Sequence, residues 1–142
     1  MIQRRKAPNL GCWSPPGGKL EMAIGESPHQ CAAREAEEEL GLKLSHKNLH
    51  LFSMVAEKAY EGSTHWLMFM FLIKPPIDML PSEIEEGPFQ FFSRAEIESL
   101  QIPETDRTIV WPFFDQHREG FTALRASFDS ANNVEIVVEE SL

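Results

Sequence analysis

The apolar positions of this 142-residue chain change period several times, and each change marks an element. Ala32, Ala33, Ala36 and Leu40 recur on one arc at helical spacing. Ser27 suits the N-cap of such a helix, Pro28 its first position and Gly41 a left-handed C-terminal cap, so a helix is predicted over residues 28–40. Leu49–Val55 and His65–Ile73 are strand-like, with a polar turn around Gly62 between them. In the second, both alternating sets are apolar: Trp66, Met68, Met70 and Leu72, then Leu67, Phe69, Phe71 and Ile73, a pattern expected of a strand covered on both faces. Ile2–Arg4 resembles the end of a strand, and residues 8–18 form a loop punctuated by proline and glycine. Ser82–Gly87 is an acidic loop, Phe89–Phe92 a short strand, and Ser93 with Glu96 a capping box that opens a short helix. Ile109, Val110, Phe113 and Phe114 predict a helix over about 104–118, kinked near Pro112. Strands at Phe121–Phe128 and Val134–Val138, turning through Asn132 and Asn133, close the chain. This order predicts the α/β class, with a mixed β-sheet between helices.

Length and a hydrophobic content of 42% fit one compact domain over residues 1–142. The 22 acidic and 13 basic residues leave a net charge of -9, which disfavours a surface that tracks nucleic acid polymers and leaves small ligands bridged by cations open. No apolar stretch approaches the ~20 residues that span a bilayer. The basic start, Met1 to Lys6, is followed by Pro8, Gly11, Pro15 and Pro16 where a signal peptide would be apolar, so no membrane association and a cytoplasmic location are expected. Cys12 and Cys31 lack the paired spacing of a zinc site and read as reduced thiols.

The informative chemistry lies on the predicted helix. At ~100° per residue, Glu35, Glu38 and Glu39 fall within about a 100° wedge, and Glu37 points elsewhere. Like charges at these spacings each oppose the helix by roughly 0.2–0.5 kcal/mol, and they crowd the end where the helix dipole also opposes them. Hard divalent cations such as Mg2+ or Mn2+ reverse that sign, because they prefer oxygen ligands and bridge carboxylates to phosphate. The run Glu37–Glu38–Glu39 alone would be an ordinary solvated face, with Arg34 neutralising Glu38. What changes the reading is its company: Gly17, Gly18, Glu26, the pair Arg34-Glu35, and Gly41, in that order.

Gly18, Glu26, Arg34-Glu35-Ala36, Glu38-Glu39 and Gly41-Leu42 together resemble the signature of the Nudix hydrolases. One departure stands out: seven residues separate Gly18 from Glu26 where the family has five, and the surplus fits best as Ala23-Ile24. The resemblance implies a Nudix-type α/β/α sandwich, here lacking its first strand, since Ile2–Arg5 looks like a strand's end. It also implies that Glu35, Glu38 and Glu39 bind Mg2+ or Mn2+ with help from the backbone of Gly17, and that Glu26 and Arg34 pair to brace the loop. Gly18-Lys19 is followed by Leu20 and not by the Ser or Thr of a P-loop.

Hydrolysis of a phosphoanhydride needs an activated water, in-line placement and cations over the leaving phosphate. The general base is expected among Glu38, Glu39 and the loop acid Glu86, which has Glu83 and Glu85 as neighbours. Trp13, Trp111 and Phe113 are candidates for stacking on a base, and Asp106 for reading its edge; their order resembles the purine-reading region of MutT-like enzymes. Tyr60, the single tyrosine, resembles one found in asymmetric dinucleoside-polyphosphate hydrolases of the family. The expected function is cleavage of a purine nucleoside triphosphate, oxidised ones included, to monophosphate and pyrophosphate. Dinucleoside-polyphosphate hydrolysis and non-catalytic nucleotide binding stay open at this stage, as does the homodimer common in the family. The five histidines are scattered without ligand spacing and are assigned no metal.

Overall fold

A computed structural model describes residues 1–60 and 62–142. Eight strands and three α-helices follow in chain order: β1 (Ile2–Gln3), β2 (Trp13–Ser14), α1 (Pro28–Leu40), β3 (Leu49–Tyr60), β4 (Thr64–Ile73), β5 (Glu83–Ile84), β6 (Gly87–Pro88), α2 (Arg94–Ile97), α3 (Trp111–His117), β7 (Thr122–Phe128) and β8 (Val134–Ser141). The chain divides into two compact units, residues 1–49 with 73–112 and residues 50–72 with 113–142.

The first unit holds α1, and its sequence accounts for every boundary of that helix. The Ser27 side chain accepts from the Gln30 backbone, and the Gln30 side chain accepts from the Ser27 backbone, so the capping box is complete. At the other end Gly41 adopts φ 69° and donates its N–H to the Ala36 and Glu37 carbonyls, a conformation that glycine reaches without strain. Cys31, Ala36 and Leu40 form the buried stripe, and Leu49, Ile97, Ile102, Ile109 and Val110 are the other buried apolar side chains of this unit's interior, with Ile2. Strands β1 and β2 pair antiparallel, Ile2 opposite Ser14. Ser93 and Glu96 cap α2 as the sequence predicts.

The acidic segment differs from its expectation. It folds into a hairpin, β5 against β6, with Glu85 and Glu86 at the turn, while the strand expected over Phe89–Phe92 is reduced to an isolated bridge between Phe89 and Ile2. The Gln90 N–H binds the Met1 carbonyl, so this stretch attaches to the N-terminal segment and builds no strand of its own. The helix expected from about residue 104 is also altered: residues 106–110 form a π-turn that passes into α3. Pro112 has no N–H, and its ring would press on the carbonyl four residues earlier in a regular helix; the wider turn before it removes that conflict.

The second unit is built on the sheet β4-β3-β7-β8, which is mixed: β3 pairs parallel with β7, and β7 antiparallel with β8. Ser53 lies opposite Thr122, and their buried hydroxyls bond at 3.1 Å, which pins the parallel register. Phe52, Val55, Ala123, Leu124, Ala126 and Phe128 form its buried apolar set. Strand β4 corrects an expectation. It stands at the edge of the sheet, none of its residues is buried and Leu67 is 57% exposed, because an outermost strand has a neighbour on one side only. Both cysteines are free, with Cys31 buried.

Candidate active site

Arg34 organises the acids. Its Nε and Nη2 donate to the two oxygens of Glu26 at 2.8 and 3.0 Å, a two-pronged pair in which the Glu26 side chain is 6% exposed. The same guanidinium donates to Glu35 at 2.6 Å, Glu38 at 3.3 Å and the Lys19 carbonyl at 3.0 Å. The adjacent guanidinium holds the Glu26 carboxyl well below its usual range, at about 2, and the backbone N–H of Glu21 adds to this. Residues 22–24 form one exposed 3-10 turn between Gly18 and that brace, with Gly25 left-handed at φ 71°.

Glu35 and Glu39 face the glycine loop. A Cβ on Gly18 would overlap the end of the Glu35 side chain, so glycine there leaves this carboxylate its present direction. The Gly17 N–H donates to Glu39 Oε2 at 3.0 Å. Burial raises the Glu39 carboxyl to about 7, and the charges of Glu35 and Glu86 push the same way against the Gly17 hydrogen bond and Arg4. Glu39 is thus a half-buried acid crowded by like charge, which a bound cation would relieve.

The three carboxylates of the row are not all held by the same partner. Glu38 reaches outward to Arg34 and is 59% exposed. Among the described residues no group of three acidic, histidine or cysteine side chains stands ready to hold a metal ion. The helix places Glu35, Glu38 and Glu39 on one face, but Arg34 draws the first two toward itself and Gly17 draws the third. The oxygen-rich donor set and the space that Gly18 leaves for Glu35 still suit a hard divalent cation, which would compete with Arg34 for these oxygens.

Glu86, at the hairpin turn, adds its charge to those acting on Glu39. Its neighbours Glu83 and Glu85 pair with Arg5 and Lys6, whereas among the described residues Glu86 has no ion-pair partner. Arg4, Arg5 and Lys6 were read only as a basic start; the complementary acidic run at residues 83–86 was the signal that could have joined the two segments.

The candidate base-reading residues are divided between the units. Trp13, Asp106 and Trp111 lie in the unit that carries α1; Tyr60 and Phe113 lie in the other. Every aromatic among them is in contact with its own chain. Trp13 meets Phe92 edge-on at 4.9 Å, the Arg94 guanidinium covers the Trp111 ring at 5.4 Å, Tyr60 packs edge-on against Phe128 at 5.5 Å, and Phe113 stacks on His117 at 5.8 Å. Asp106 opens the π-turn with Oδ2 buried, and Trp111 follows it with Nε1 buried. Of the histidines, His50 bonds the Gly120 carbonyl at 2.8 Å and His65 accepts from the Ala59 N–H.

The family model of the NUDIX domain matches residues 1–113. The chain belongs to the Nudix family. It also resembles a solved structure, the mutator MutT protein from Bacillus halodurans, at a TM-score of 0.72 and 22% identity over 97% of this chain and 87% of that one. The fold is therefore that of a Nudix enzyme, and the chain is a pyrophosphohydrolase of nucleoside diphosphate-linked small molecules that depends on a divalent cation. Among the described residues no helix is long and apolar enough to cross a membrane.

Proposed function

We propose that this Nudix hydrolase cleaves purine nucleoside triphosphates, oxidised purines among them, to the monophosphate and pyrophosphate with Mg2+ or Mn2+. The observation that carries the reading is the crowding of Glu35 and Glu39 at the Gly17-Gly18 loop, with Arg34 beside Glu35. Glu35, Glu38 and Glu39 would hold the cation, with the Gly17 backbone at its edge. When bound, the cation offsets the charge of the phosphates and acidifies a water.

Arg34 keeps Glu35 and Glu38 within reach while Glu26 fixes Arg34 against the loop. Glu86, a carboxylate with no cationic partner among the described residues, is suited to take the proton from water. Asp106 and Trp111, linked by the Trp111 N–H on the Asp106 carbonyl, support a purine as the group recognised, one by its carboxylate and the other by its ring. Dinucleoside polyphosphates are the less favoured substrate, because Tyr60 is packed on Phe128.

The deciding experiment is a panel of dGTP, 8-oxo-dGTP, dATP, dCTP and a diadenosine polyphosphate, each with and without Mg2+, read by pyrophosphate and phosphate release. Pyrophosphate from the purine triphosphates alone, dependent on metal, is the expected result. Preference for dCTP or the dinucleotide would overturn the substrate assignment. Binding without turnover of any member would replace the enzyme with a regulatory binder.

A further inference from the structure

Four observations converge on the N-terminal segment. Arg5 pairs with Glu83 through its guanidinium, and the same group donates to the Ile84 carbonyl at 3.3 Å. Lys6 pairs with Glu85 at 2.7 Å. The Arg5 N–H donates to the Glu86 carbonyl at 2.9 Å. Gly87 packs so closely on the Gln3 carbonyl that a Cβ there would overlap it, and at φ 151° it adopts a backbone that side chains rarely reach. Side chains, backbone and a missing Cβ thus tie residues 3–6 to every residue of the hairpin from 83 to 87. Of the three hairpin carboxylates, Glu83 and Glu85 are paired directly, and Glu86 feels the charge of Lys6 without an ion pair among the described residues.

We infer that Arg5 and Lys6 are positioning residues, a basic clamp that holds the β5–β6 hairpin and with it the place of Glu86. The inference rests on the base role given to Glu86 above. Glu83, Glu85 and Glu86 are three like charges within four residues. Unclamped, their mutual repulsion loosens that turn. Direct pairing of two of the three leaves the third as the acid that stays available. Individually such exposed pairs contribute little to global stability, so the effect falls on placement and not on folding. Misplacement of a reacting group by about 1 Å is enough for losses of ~100-fold in rate.

The test is a double-mutant comparison with dGTP and Mg2+. Arg5→Ala/Lys6→Ala should lower kcat at least tenfold, leave KM within about threefold, and add nothing once Glu86→Gln is present. The charge-matched control Lys43→Ala/Lys47→Ala should leave kcat within twofold. Arg5→Lys/Lys6→Arg should restore most of the loss, as should the swap Arg5→Glu with Glu83→Arg, kept with Lys6. Amide exchange read by mass spectrometry supplies a readout independent of turnover: protection should fall in residues 83–90 of the alanine variant and stay unchanged in α1. Unchanged exchange in the hairpin, or a kcat loss of equal size in the Glu86→Gln background, would overturn the clamp. If the native chain turns over no nucleotide, the hydrolase reading of Glu86 fails by itself, and selective loss of protection in residues 83–90 still upholds the clamp.

Discussion

Helix α1 is thirteen residues of regular helix closed at both ends by neighbouring groups, whereas the segment from Asp106 to His117 opens with a π-turn and becomes α-helical only at Trp111. Both carry residues proposed to meet the nucleotide. In α1 regularity is what the chemistry requires, since a fixed spacing brings Glu35, Glu38 and Glu39 to one side. In the later segment the departure from regular spacing is what puts the Trp111 N–H on the Asp106 carbonyl, five residues before it. A regular frame suits a row of equivalent oxygen donors; a distorted one suits two unlike groups that read a particular edge.

The sharpest way to break the comparison is to remove one acid from α1. Glu39→Gln should reduce dGTP turnover by about 1,000-fold or more with the fold retained, which steady-state kinetics and circular dichroism will check. The same variant carries a pH signature. Because Glu39 holds its proton up to about 7, the folded metal-free chain binds more protons than the unfolded one between about pH 4.5 and 7, so its stability falls as pH rises through that window. Urea denaturation across pH should show this decline in the native chain and a flatter profile in Glu39→Gln.

Arg34→Ala comes next, since it strands Glu26 and frees Glu35 and Glu38 from their cation. Its melting temperature should drop by roughly 5 °C or more. The depressed Glu26 carboxyl stabilises the fold above the unfolded value near 4.5 and loses that contribution as pH falls through about 2, so the variant should also lose this part of the native acid profile. Asp106→Asn probes the irregular segment: the ratio of kcat/KM for dGTP over dCTP should shift by about tenfold with melting unchanged within a few degrees. The smallest effect belongs to Ser27→Ala, which removes half of a capping box and should lower unfolding free energy by about 1 kcal/mol without altering turnover.

Legibility from sequence followed the range of the determining interactions. Ser27, Pro28 and Gly41 act on the backbone next to them, and the helix begins and ends where they stand. The Glu26–Arg34 contact was legible only through the family signature that both residues belong to. The Arg34–Glu38 pair was legible from local spacing, since the two stand one turn apart on the helix. The acidic hairpin depends on residues 2–6, nearly eighty positions away, and no local periodicity reports such a partner. Strand β4 carries the apolar pattern of a covered strand, yet its place at the sheet edge follows from strand order, which residue type alone does not encode. Asp106 and Trp111 were chosen by order along the chain, and the π-turn that relates them arises from the demand of Pro112 on the residues before it.

At Gly18 the loop meets α1 through the flexible end of a single side chain, the carboxylate of Glu35. Enlarging residue 18 would turn that carboxylate aside before it disturbed the backbone of either element. Variation there acts first on where one acid points, whereas the exposed turn at residues 22–24 can change without reaching it.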